Sequence, residues 1–181
     1  MLSIIASINP RHCIPIAGRD KTLEIRKSVP REVPFKVYIY CTGVKSLNLA
    51  TYCDLHRRSG GRIDEWAGKI IGEFVCDRVY QYTTGNLTDG MDITTEEVTR
   101  MACLSYEELM AYENSAEPKE NCLYMVGLYA WHITDLQIYR KPKGLGDFVR
   151  PGTDTKGFSR PPQSWYYAIP YIPRQEVTFH G

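Results

Sequence analysis

Strand-like runs recur along most of this chain, whereas helical signals gather in only two places, which argues against a regular alternation of strand and helix. Leu2 to Ile8 reads as a first strand, with Ile4, Ile5 and Ile8 bracketing small residues ahead of the Asn9-Pro10 turn signal. Phe35-Lys36-Val37-Tyr38-Ile39-Tyr40-Cys41 is a second, rich in β-branched and aromatic residues and set off by Pro30 and Pro34. Gly68 to Asp77 resumes as strand and runs on toward Tyr82; Cys122 to Tyr129 and Trp131 to Tyr139 follow. Lys141-Pro142-Lys143-Gly144 marks a turn, Arg150 to Gly157 a loop, and Trp165 to Ile169 a final strand.

A short helix is expected over His12 to Ala17, with Pro15 in an early turn and Gly18 as its stop. Two more are expected where Thr94 with Glu97 and Ser105 with Glu108 show capping-box spacing. Gly43 to Gly68, which contains the basic, glycine-rich Arg57-Arg58-Ser59-Gly60-Gly61-Arg62, reads as an excursion between strands. The pattern predicts an α+β fold: a mostly antiparallel β-barrel with short flanking helices.

At 181 residues the chain has the size of one domain, expected over residues 1–170 with 171–181 as a C-terminal tail. Hydrophobic residues at 43% and charged residues at 24% exclude the composition of a disordered chain. No run approaches the roughly 20 apolar residues of a membrane span, and the opening Met1-Leu2-Ser3-Ile4-Ile5-Ala6 lacks the basic flank of a signal peptide. A cytoplasmic location without membrane contact is therefore expected. The six cysteines form no C-x-x-C pair, and several lie in apolar runs, so reduced and mostly buried thiols are expected.

The net charge of +1 rules out coating of nucleic acid by bulk electrostatics and leaves local patches as the route to a polyanion. Residues 11–36 carry seven Lys/Arg against three Asp/Glu, and 140–160 six against two, whereas 92–120 carry eight acids against two bases. Uneven solvated faces produce the same numbers.

Thr22-Leu23-Glu24-Ile25-Arg26 alternates with period two, which directs Leu23 and Ile25 to the core and Thr22, Glu24 and Arg26 to the opposite face. The longer segment Gly18-Arg19-Asp20-Lys21-Thr22-Leu23-Glu24-Ile25-Arg26 resembles the G-x-K-x-x-E-x-R signature of ASCH domains, a PUA-like superfamily related in fold to YTH and EVE domains, with Asp20 as one extra residue. Arg160-Pro161-Pro162-Gln163-Ser164-Trp165-Tyr166-Tyr167 resembles the closing segment of ASCH-like proteins from phages and prophages of Gram-positive bacteria. The resemblance implies a PUA-like barrel and a cleft, between the first helix and the barrel, that takes a nucleotide or modified base.

On that reading Lys21, Glu24, Arg26 and Lys27 supply charged groups, Thr22 a hydroxyl, and Arg160, Gln163, Ser164 and Trp165 further ligand contacts. A plain ion-pair cluster pinning helix to strand fits Lys21, Glu24 and Arg26 as well. Trp131, Trp165, Tyr129 and Tyr167 are candidates for stacking on a base, with core packing the commoner fate of Trp131.

Two functions follow from the resemblance, and whether the chain is an enzyme stays open between them. One is an RNA- or modified-nucleotide-binding module of phage or prophage origin, with the basic stretches at 57–62 and 140–160 tracking the backbone. The other is a small nucleoside amidohydrolase acting on acylated cytidine-type substrates, because some ASCH proteins carry a lysine-threonine-glutamate constellation. Lys21 matches the lysine; Glu24 stands at the threonine position and leaves Thr22 as the hydroxyl, with Glu107 or Glu108 as the distant carboxylate. No cofactor and no metal are expected: Cys53-x-x-His56 lacks a second ligand pair, His132 and His180 are isolated, and no G-x-S-x-G or G-x-x-x-x-G-K-S/T motif occurs. The identity of the ligand and the oligomeric state are not readable from the residues.

Overall fold

The computed structural model describes residues 1–45, 47–83, 93–115, 127–153 and 157–171. Its centre is a mixed sheet in the order β2-β5-β4-β3-β1-β7, built from β1 (Leu2–Ile8), β2 (Leu23–Arg26), β3 (Phe35–Cys41), β4 (Lys69–Tyr82), β5 (Leu128–Lys143) and β7 (Trp165–Tyr167). β1 and β3 are parallel, and the other neighbours are antiparallel. The sheet curls into a half-barrel, helped by register shifts between β4 and β5 at Ile70/Gly72, Glu73/Val75 and Cys76/Val79, since a bulge bends its strand and sharpens the local twist. Gly72 sits at one of these shifts so close to β5 that an added Cβ would run into the Gln137 carbonyl.

Period-two alternation sorts the side chains into two layers. Ile4, Ala6 and Ile8 with Phe35, Val37 and Ile39 face a core closed by α1 (Pro10–Ala17), α2 (Leu49–Arg58) and α3 (Ile63–Trp66). Ile5, Tyr38 and Tyr40 point to the opposite face, under Phe148 of the short β6 (Phe148–Val149) and Ala168. At the far end of the sheet, Leu23, Ile25 and Ala130 pack against Val98 of α4 (Thr95–Ala102) and Leu109 of α5 (Tyr106–Asn114). Both capping boxes form as the sequence predicts: Thr94 Oγ1 accepts from the Glu97 amide at 3.2 Å and Ser105 Oγ from the Glu108 amide at 3.2 Å.

Three expectations change. The excursion at 43–68 contains α2, capped by Asn48 and ending in His56, Arg57 and Arg58, and α3. Its helical signal is faint because Leu55 is the one buried residue of α2. The turn read at Lys141-Pro142-Lys143 is strand, with Lys143 paired to Ile70. The strand read from Cys122 lies outside the described residues up to 126, and β5 begins at Leu128. The final strand divides at Ala168, whose amide bonds to Ser3, into β7 and β8 (Ile169–Pro170), which pairs with β6. Cys13, Cys41 and Cys76 are buried and Cys53 and Cys103 exposed, all as free thiols. Among the described residues no helix is long and apolar enough to cross a membrane.

Candidate functional site

The turn from α1 into β2 places the site. The Gly18 amide donates to Ile14 and the Arg19 amide to Ile16, while the Asp20 and Lys21 amides both donate to the Pro15 carbonyl. The residue that takes the left-handed conformation is Arg19, at φ 67°, whereas Gly18 stays right-handed at φ −74°. The extra Asp20 is thus absorbed in a tight turn that brings Lys21 against the barrel.

β2 then pairs with β5, setting Glu24 opposite Trp131 and Arg26 opposite Tyr129. All four residues of β2 are buried, so the face that carries Glu24 and Arg26 is not the accessible surface that alternation alone predicts. On it lies a row of charge. Lys21 Nζ lies 3.5 Å from Glu24 Oε2 and donates to the Ala102 carbonyl at the end of α4 at 2.8 Å. An Arg26 Nη lies 2.9 Å from Glu24 Oε1 and 2.9 Å from the Ser7 carbonyl. The guanidinium stands over Trp131, 5.7 Å from the ring centroid. Trp131 itself is core, edge-on to Phe35 at 5.1 Å.

Charge and burial compete in this row. Burial pushes Glu24 up, but Arg26, Lys21 and His12 outweigh it and hold the carboxyl below its ordinary value of 4.5. Lys21 ends below its ordinary 10.5: burial disfavours the ammonium, and its share of Glu24 does not make up the difference while Arg26 repels it. His12 on α1 falls from 6.5 to about 4, first through burial, with Glu24 opposing and Lys21 and Arg11 adding to the depression. With two cations and one carboxylate the row carries net positive charge in a nearly dry space. Two buried donors of this row, Arg26 Nε and Trp131 Nε1, have no acceptor among the described residues, which is uncommon for buried polar groups.

The remaining residues singled out in the sequence divide. Ser164 belongs with the row: its carbonyl accepts from the Ser7 amide at 2.9 Å and faces an Arg26 Nη at 3.5 Å. Trp165 is adjacent, its Nε1 donating to Ser28 Oγ at 3.0 Å and its ring edge-on to Trp131 at 6.5 Å. Lys27 lies on the rim, bonded to Ser115 Oγ at 2.8 Å and 4.8 Å above Tyr112. Thr22 is half-buried beside α4, its amide bonded to Met101. Arg160 and Gln163 are not with Lys21; they line a separate depression with Tyr166. Glu108 pairs with Arg11 at 3.1 Å and Glu107 is exposed, so the carboxylate beside Lys21 is Glu24 itself.

Sequence reasoning missed His12, Ser7 and Tyr112, because the half-barrel, not any local pattern, brings α1, β1 and α5 to this row. The basic stretch at 57–62 is occupied: Arg57 and Arg58 pair with Asp54, and Arg62 bonds to the Tyr139 carbonyl and covers Trp66. Among the described residues no three His, Cys, Asp or Glu side chains cluster as metal ligands.

No family model and no curated protein matches the sequence. Solved structures do. The crystal structure of ASCH from Zymomonas mobilis superposes with a TM-score of 0.55 at 19% identity, covering 91% of this chain and 86% of that one. A tyrosine-to-phenylalanine variant of ZmASCH gives 0.55 at 18% identity over 92% and 90%, and a serine-to-alanine variant 0.54 at 18% over 91% and 87%. At such identities the likeness concerns architecture, and it establishes that this chain has the α+β, PUA-like fold of ASCH proteins.

Proposed function

We propose that the chain is a cytoplasmic binding module for RNA or a modified nucleotide, and that the Lys21–Glu24–Arg26 row is where one nucleotide is read. One observation carries this reading: a buried row with net positive charge and two donors, Arg26 Nε and Trp131 Nε1, that find no acceptor among the described residues. Leaving such donors empty costs free energy that an acceptor-rich ligand returns. A base edge accepts from the guanidinium and indole, Glu24 offers an acceptor to an exocyclic amine, and a phosphate complements the excess charge. Trp165 and Tyr112 supply ring faces beside the row. The likeness of Arg160 to Tyr167 to phage and prophage segments supports an origin there.

A nucleoside amidohydrolase is the second reading, favoured by the lowered Lys21: a lysine that loses its proton more readily serves as a general base, with Thr22 the nearest hydroxyl in sequence. The experiment that separates the two is a thermal-shift and turnover screen of the wild type and Lys21→Met. It covers nucleosides, methylated and acetylated cytidines, and short RNA and DNA strands. Lys21-dependent stabilisation without turnover supports the binding module, and Lys21-dependent release of acetate from N4-acetylcytidine supports the hydrolase. Absence of both responses overturns both readings.

A further inference from the structure

The closing segment serves two faces of the sheet. β7 is an edge strand, and its three residues alternate: Trp165 and Tyr167 join the layer that holds Trp131, while Tyr166, paired with Ile5, points to the opposite face. There Tyr166 is 42% exposed, lies nearly parallel to Phe158 with ring centroids 6.4 Å apart, and carries the Arg150 guanidinium 5.0 Å from its centroid. A depression of about 650 Å³ opens beside it, lined by Arg150, Arg160, Gln163, Phe158 and Tyr166 among others. A second, of about 430 Å³, shares Arg150 and Tyr166 and is bounded by Arg31. Together they form a trough straddling Tyr166. Among the described residues no carboxylate lines either depression; Glu32 pairs with Arg31 at 3.4 Å. This trough also collects Arg150 and Arg160 of the basic 140–160 stretch.

Guanidiniums that grip phosphates next to exposed aromatic faces are the combination by which single-stranded nucleic acid is held without regard to sequence. We propose that the trough binds single-stranded nucleic acid, with Arg150 and Arg160 on successive phosphates and a base against Tyr166 and Phe158. The strand continues around the β7 edge from the nucleotide held at the Lys21–Glu24–Arg26 row. The inference rests on the nucleotide reading above for its class of ligand. Its residues and its face of the sheet are different, so the two fail separately. Two guanidiniums beside a ring also attract acidic peptides; Gln163, whose amide offers both donors and an acceptor to a base edge, and the pair of near-parallel rings favour the nucleic acid.

The test is fluorescence anisotropy with labelled single-stranded RNA of about ten nucleotides, within the usual span of one such module, alongside a mononucleotide and poly-glutamate. The proteins are wild type, Arg150→Glu/Arg160→Glu, the milder Arg150→Gln/Arg160→Gln, Tyr166→Ala, and a charge-matched control at two exposed lysines, Lys45→Glu/Lys69→Glu. The oligonucleotide is expected to bind more tightly than the mononucleotide. Reversal at 150 and 160 should weaken oligonucleotide binding at least tenfold and lower the slope of log K against log salt by about 1.4, roughly 0.7 for each of two phosphates. Tyr166→Ala should weaken it roughly fivefold or more, while mononucleotide binding and the control stay unchanged.

The Gln pair, which retains the polar surface, keeps the test valid if charge reversal disturbs folding. Equal loss in the control, no gain in affinity with length, or equally tight binding of poly-glutamate overturns the trough. A length gain that depends on Arg150 and Arg160 without any mononucleotide binding upholds the trough and overturns the buried row as the nucleotide site.

Discussion

Glu24→Gln is the perturbation that most directly probes the buried row. Glu24 lies 3.5 Å from the Lys21 ammonium and 2.9 Å from the Arg26 guanidinium. At an effective dielectric of about 20, contacts of this length are worth roughly 5 kcal/mol each before desolvation. Desolvation offsets much of that gain while the row is intact, but removing the shared anion strands both cations. The expected loss of stability is therefore about 3–5 kcal/mol at neutral pH, the range for breaking a buried pair. Lys21→Met should cost less, since the methionine fills similar space and Glu24 keeps Arg26. The double variant Lys21→Met/Glu24→Gln should be more stable than Glu24→Gln alone by at least about 1 kcal/mol, because one stranded charge is gone.

The sign with pH follows from Lys21. Its pKa is already below 10.5 in the folded state and falls further without Glu24. Between the folded and unfolded pKa the unfolded chain binds more protons, so stability rises with pH. The Glu24→Gln deficit should therefore narrow as pH is raised from 7 toward about 10. Denaturant unfolding followed by tryptophan emission measures all of this. A loss below about 1 kcal/mol for Glu24→Gln, or a deficit that does not narrow with rising pH, refutes the picture of a desolvated row.

Three further outcomes are expected. His12, held neutral down to about pH 4, contributes stability that is full above 6.5 and lost as pH falls from 6.5 toward 4; NMR should find its imidazole titrating well below 6.5, and His12→Gln should flatten that part of the stability profile. Gly72→Ala should destabilise by about 1–3 kcal/mol, as overpacking does, because the new methyl meets the Gln137 carbonyl at the β4–β5 irregularity; an unchanged melting temperature contradicts this. Phe35→Ala, at a fully buried ring against Trp131, should cost about 3–5 kcal/mol in denaturant titration, whereas Val33→Ala at an exposed position should change little.

Much of the fold was legible because its signals are local. β1, β3 and β4 announce themselves by branched and aromatic residues between turns, and α4 and α5 by capping boxes that need four residues to recognise. α2 and α3 escaped because each covers the sheet with one or two buried side chains, too few to set a period. The residues of the row were named by a local signature, Lys21, Glu24 and Arg26. Their burial was not, since period two gives the face of a strand but not what lies over it. That cover comes from Ser7, His12, Ser164 and Trp131, up to 138 positions away from Arg26 in sequence. Likewise Arg160, Gln163, Ser164 and Trp165 read as one group, and only the pairing of β7 with β1 sends Trp165 toward the row and Tyr166 to the opposite face, where Arg160 and Gln163 line the trough. The sequence by itself determined which segments become strand or helix and which residue types carry charge; the tertiary structure decided which of those charges lose their water, because desolvation depends on atoms brought in from distant parts of the chain.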